Sequence, residues 1–154
     1  MRRPYPTLAL FAALLLCGGF ASGWSGSGSH GRLGPWSVAA MVVFHSASMV
    51  QFGATARRVE GIARASGMPD WVGAQAEKNW CKARAYSAWG LALAGLSAGT
   101  GWAGGGTGHL VASAASFSFQ VGALAGLVVL GVVRDRLIRD SEGWASPALS
   151  SGDP

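Results

Sequence analysis

Residues 41–52, MVVFHSASMVQF, set a histidine, two serines and a glutamine inside an otherwise apolar run. The segment around them, 36–56, is close to the roughly 20 residues that a helix needs to cross a hydrocarbon core about 30 Å thick. His45 is thus read as an ionisable residue within a membrane, a position that marks a functional candidate unless a partner satisfies it.

Working outward, three further apolar segments lie at about 7–23, 86–104 and 109–133. Only 12% of the 154 residues are charged, against about 25% in a typical soluble chain. The 24 glycines are spread through Ala/Leu/Val-rich stretches, where small residues let membrane helices approach closely. The expected fold is all-α: an integral membrane helical bundle with four transmembrane helices, about 7–23, 36–66, 70–104 and 109–139. Together these make one unit over 1–140, followed by a disordered Ser/Gly/Pro-rich tail at 141–154. The third segment is the most dilute, and Tyr86, Trp89 and Trp102 are its expected interfacial anchors.

The twelve basic residues set the orientation. Arg2 and Arg3 precede the first segment, six lie between the second and third, three follow the fourth, and only Arg32 falls on the other side. By the positive-inside rule, the termini and the 57–85 connection are cytoplasmic. The expected location is a bacterial inner membrane. A basic start and a Gly-Phe-Ala end also allow the first segment to be a cleaved signal, leaving three transmembrane helices. Leu16 before Cys17 is too large for a lipoprotein cleavage site. The two cysteines, Cys17 and Cys81, are expected as free thiols.

The connection is itself helical. Val59, Ile62 and Ala63 share a stripe, Glu60 and Arg64 are four apart, Gly67 suits a C-terminal cap, and Asp70 suits an N-cap after Pro69. The prediction is a cytoplasmic αα-hairpin that extends the second and third helices and offers a docking surface. Gly95/Gly99 and Gly122/Gly126 form small-xxx-small pairs expected to pack helices.

Enzyme motifs are lacking. GTGWAG at 99–104 matches a dinucleotide fingerprint by letter only, with no strand before it and no acidic residue about 20 positions on. The basic residues form neither a tract nor a nucleic-acid motif. Met41, His45 and Met49 recur every four residues on one helix stripe, and thioether with imidazole suits Cu(I). Haem or chlorophyll held by His45 alone is a second cofactor option. Pairing with His109 fails on depth, since His45 lies roughly 13 Å into its helix and His109 starts the next one. Gln120 lies roughly 16 Å into the fourth helix from the same side, close to the depth of His45. A His45/Gln120 hydrogen bond would satisfy both groups, with Gln120 a partner of His45 rather than a ligand. Gln51, about 9 Å deeper, is expected to face the bundle as well.

The run FHSASMVQFGATARRVEG, through Phe44, His45, Ser46, Met49, Phe52, Thr55, Arg57 and Val59, resembles an uncharacterised family of small bacterial multi-pass membrane proteins, and MPDWV further on is similar too. It departs from that pattern at Gln51 and Gly53, where bulkier apolar residues are expected. The resemblance implies a membrane architecture and no particular activity. The leading expectation is a non-enzymatic accessory or scaffold subunit without a cofactor. Its partners would be the bilayer and a membrane protein or second copy, with no nucleic acid. The rival is a redox protein holding haem, chlorophyll or copper at His45. A small transporter is third, weakened by the absence of an intramembrane acidic residue.

Overall fold

The computed structural model describes residues 4–24, 30–102 and 106–150. Four helices account for almost all of them: α1 (Pro4–Trp24), α2 (His30–Ala65), α3 (Asp70–Trp102) and α4 (Gly106–Ser150). There is no strand among the described residues. The chain is an all-α helical bundle, as its apolar segments predict.

Side-chain placement is inverted relative to a water-soluble bundle. Leu10, Phe11 and Leu14 of α1, Val42, Val43 and Val50 of α2, and Val121, Val128 and Val129 of α4 point outward. His45, Ser48, Ser87, Ser116 and Gln120 are buried. Apolar groups outside and polar groups inside is the arrangement that lipid rewards, because buried polar groups then find partners and none is left facing hydrocarbon. Among the described residues, three helices are long and apolar enough to cross a membrane: α1 over Thr7–Trp24, α2 within Leu33–Ala65 and α4 within Gly106–Trp144. The third predicted segment does not reach that apolarity, since glycine, serine, threonine and tryptophan dilute it.

Interhelical contacts give the register. Gly53 of α2 lies against Trp80 of α3, Asn79 donates to the Leu130 carbonyl of α4 (3.1 Å), and Ser97 bonds Ser113 (2.9 Å). The stretch of α3 from Trp80 to Trp102 therefore runs beside the apolar lengths of α2 and α4. Trp89, beside Gly90 in α3, points outward from the bundle. Helix α1 packs on α2 and α4 and makes no contact with α3. It contributes Ala9, Ala12 and Leu16 to a core with Met41, Phe44, Phe52, Ala83, Leu124 and Leu127. Ser37 of α2 reaches across to donate to the Leu15 carbonyl of α1 (2.6 Å), and Gly19 lies close against Ser37.

A second core sits at the hairpin end, where Val59, Ala63, Met68, Val72 and Ala76 of α2, α3 and their turn close on Leu137 of α4. Gly67 takes φ +61°, and the Met68 amide bonds back to the Ala63 carbonyl (3.0 Å), so Gly67 ends α2 as predicted. Asp70 is the first helical residue of α3 rather than its cap, a position where the helix dipole still favours a carboxylate. The predicted hairpin is thus a three-helix unit, because α4 runs on beside it.

The expected disordered tail is corrected over most of its length. Helix α4 continues to Ser150. Ser141 is fully buried and bonds the Ile138 carbonyl (2.9 Å), and Glu142 pairs with Arg58 of α2 (2.7 Å). Residues 151–154 lie outside the described residues. Helix α2 also starts earlier than predicted, at His30, with Pro35 near enough to its start that the missing N–H interrupts little helix. GTGW of the fingerprint-like run forms the end of α3, with the two residues after it outside the described set.

Candidate functional site

His45 occupies the point where α2, α3 and α4 meet. Its Nε2 lies 2.7 Å from Gln120 Oε1, and Gln120 Nε2 donates to the Gly90 carbonyl at 2.7 Å. Both His45 and Gln120 are fully buried. The second bond assigns the first: the Gly90 carbonyl requires a donor, so the amide nitrogen of Gln120 faces α3 and its oxygen faces the imidazole. His45 Nε2 is therefore the donor to the Gln120 oxygen. Nδ1 has no hydrogen-bond partner among the described residues, and neither has Ser87 Oγ, one helical turn before Gly90.

Gly90 makes this approach sterically feasible. A Cβ there would stand 2.6 Å from His45 Cε1 and 2.9 Å from Cδ2, closer than real contacts allow. The imidazole lies flush on the α3 backbone, with the Phe44 ring edge-on to it at 5.5 Å between centroids. Gly90 belongs to a stripe of small or slim buried residues on α3, Asn79, Ala83, Ser87, Gly90 and Ala94. That stripe is the real contact face of α3. Gly95, Gly99 and Gly122, expected as contact points, would meet nothing with an added Cβ, and only Gly126 packs, against Tyr86.

Of the other anticipated site residues, Met41 is buried in the core below α1 and Met49 is half-buried. Ser48 donates to the Phe44 carbonyl of its own helix (2.8 Å). Gln51 faces the bundle and accepts from Arg134 Nη1 (3.0 Å). Arg134 also bonds Asp135 (3.0 Å) and lies over the Phe52 ring, 5.4 Å from its centroid. His109 is distant from this layer, against Gly101 and within 3.4 Å of Thr100 and Ser113 hydroxyls. Among the described residues no three His, Cys, Asp or Glu side chains cluster as metal ligands do. The chain matches no known family, no curated protein and no solved structure.

Two concavities flank the polar layer. On the side away from the hairpin, all four helices border a cavity of about 820 Å³ with Met41 and Gln120 at its deep end and Trp102 and His109 at the other. His45 does not line it. At the hairpin, a groove of about 540 Å³ runs between α2 and α3, with a floor of alanines and glycines, and is bordered by Glu60, Arg64, Asp70 and Glu77, of which Arg64 pairs with Glu60.

Arg134, Asn79, Ser87 and Gly90 were not singled out from the sequence. Arg134 was counted only as an orientation charge, and a lone glycine between Trp89 and Leu91 carries no local signal. The one available clue was depth: Gly90 falls eleven residues before Gly101, just as Gln120 falls eleven after His109, so the Gly101/His109 contact brings both to one level.

Proposed function

We propose that this chain is a non-enzymatic multi-pass protein of a bacterial inner membrane, an accessory or scaffold subunit. The observation that carries the reading is Gln120, whose amide is committed at both ends, to His45 and to Gly90. The two bonds of this amide tie three helices together, at about 0.6–2 kcal/mol per bond in a membrane setting. Arg134 with Gln51 and Asn79 with Leu130 do the same nearer the hairpin.

The packing of Ala9, Ala12 and Leu16 into the core supports a retained α1 rather than a cleaved signal. The register of α3 supports a fourth span, with Lys82 and Arg84 reaching the headgroups by extending their stems along the bilayer edge. Helices α2, α3 and α4, of 36, 33 and 45 residues, measure about 54, 50 and 68 Å, well beyond the hydrocarbon thickness. The excess forms the three-helix hairpin end, cytoplasmic by the distribution of basic residues. Its groove between α2 and α3 is the contact surface for a partner subunit or a second copy.

A haem, chlorophyll or copper site at His45 is less well supported. Only Nδ1 is open to a ligand, the ring is packed against Gly90 of α3, and the large cavity is lined by other residues. The small-transporter reading gains little either, because most buried hydroxyl and amide groups bond backbone carbonyls of the bundle and no acidic side chain lines the large cavity.

The test is an absorption spectrum and metal analysis of protein purified from membranes, with His45→Ala alongside. A colourless, metal-free, folded protein is expected, whereas a Soret or chlorophyll band lost in His45→Ala overturns the reading. Orientation is checked by a membrane-impermeant maleimide, which should reach the exposed Cys81 only in inside-out vesicles.

A further inference from the structure

We infer that the 820 Å³ cavity is a binding site for an uncharged amphiphile, a single hydrogen-bonding head on an apolar chain. Its size lies in the upper part of the range of small-molecule sites, about 300–1,000 Å³. Two features of the lining select the ligand. It contains no Asp, Glu, Lys or Arg, so a formal charge would lose its hydration there with no counter-ion to compensate. The polar side chains are also segregated. Ser97, His109, Ser113, Ser116 and Gln120 all stand on the α3/α4 wall, while Leu16, Phe20, Val38 and Met41 face them from α1 and α2.

The hydroxyl of Ser37 on the apolar side is already turned to the Leu15 and Leu33 carbonyls, which leaves that wall greasy in effect. On the opposite wall, a rotatable Ser97/Ser113 pair and the His109 ring nitrogens offer both donors and acceptors. A hydroxyl, ester or carbonyl head would bond there, with its chain against α1 and α2. This assignment stands apart from the scaffold reading, since the cavity binds or fails to bind regardless of what the hairpin contacts.

The experiment uses the full chain in phosphatidylcholine nanodiscs and a monooleoylglycerol analogue with a photoreactive diazirine in its acyl chain. Saturable labelling of cavity-lining peptides, competed by plain monooleoylglycerol and much less by anionic oleate, is expected. Outward-facing Val128 and Val129 should take up only label that is not competed. Filling the cavity with Ser116→Leu or Ala98→Leu should weaken competable labelling about tenfold, while Gly122→Leu on the open face of α4 should not change it. Label at the cavity that cannot be competed, or oleate competing as well as the monoglyceride, overturns the assignment. The wild-type mapping decides the matter even where a filled variant fails to fold.

Discussion

Replacing Gly90 with alanine sets two opposing terms against each other. In an ordinary helix interior the change stabilises by up to about 1 kcal/mol. Here the added Cβ falls 2.6 Å from His45 Cε1, an overpacking that costs about 1–3 kcal/mol. The ring has no free space into which to retreat, being fully buried and held by Gln120. If it yields, the hydrogen bond goes too, for a further 0.6–2 kcal/mol, roughly. The net expectation is a loss of about 1–3 kcal/mol. The sign reverses in a His45→Ala background, where the clash is gone and only the helix term of up to about 1 kcal/mol remains. The coupling between the two positions should therefore reach about 2–3 kcal/mol, the upper range for residues in contact. Equilibrium unfolding in mixed micelles by sodium dodecyl sulfate titration of the four proteins reads it directly. Equal effects of Gly90→Ala in both backgrounds would refute the contact.

Gln120→Leu keeps the volume and removes both bonds, so it should cost about 1–3 kcal/mol in the same titration; a change within error would mean the polar layer holds nothing together. Gly19→Ala should loosen α1, because its Cβ would stand only 3.0 Å from Ser37 Cβ, and Ser37→Ala should restore part of the loss in thermal stability. Arg58 and Glu142 are 63% and 48% exposed, so their double-mutant coupling should stay below about 1 kcal/mol; a much larger value would mean the pair is shielded by a partner. Amide hydrogen exchange at residues 141–144 should be slowed by the continuing helix, where an unstructured tail would exchange at once.

The fold was legible because lipid imposes a simple code. Long apolar segments become long helices, and among the described residues three of these are apolar enough to cross a membrane. The His45/Gln120 bond was legible for a related reason: helical rise converts residue number to depth, and few polar residues compete for a given level. Side-to-side information was far weaker. Rise does not tell which face of α3 turns inward, so Gly95 and Gly99 looked as suitable as Ser87 and Gly90. The C-terminal stretch misled because serine, glycine and proline content speaks of an isolated chain, whereas Glu142 is held by Arg58 of α2, far away in the sequence. Arg134 was hidden by its own charge, since a basic residue at a helix end satisfies the orientation rule before any question of burial arises.

The tie between His45 and Gln120 spans 75 residues of chain. At a synthesis rate of about 5–20 residues per second, its second half emerges roughly 4–15 s after its first. Throughout that interval His45 is committed to a helix whose lasting hydrogen-bond acceptor has not yet been made. The chain is therefore most exposed to misassembly after three helices have been made and before the fourth arrives. Ribosome pausing between residues 100 and 120 should lengthen that window, and changes that slow translation there should reduce yield without altering the finished protein.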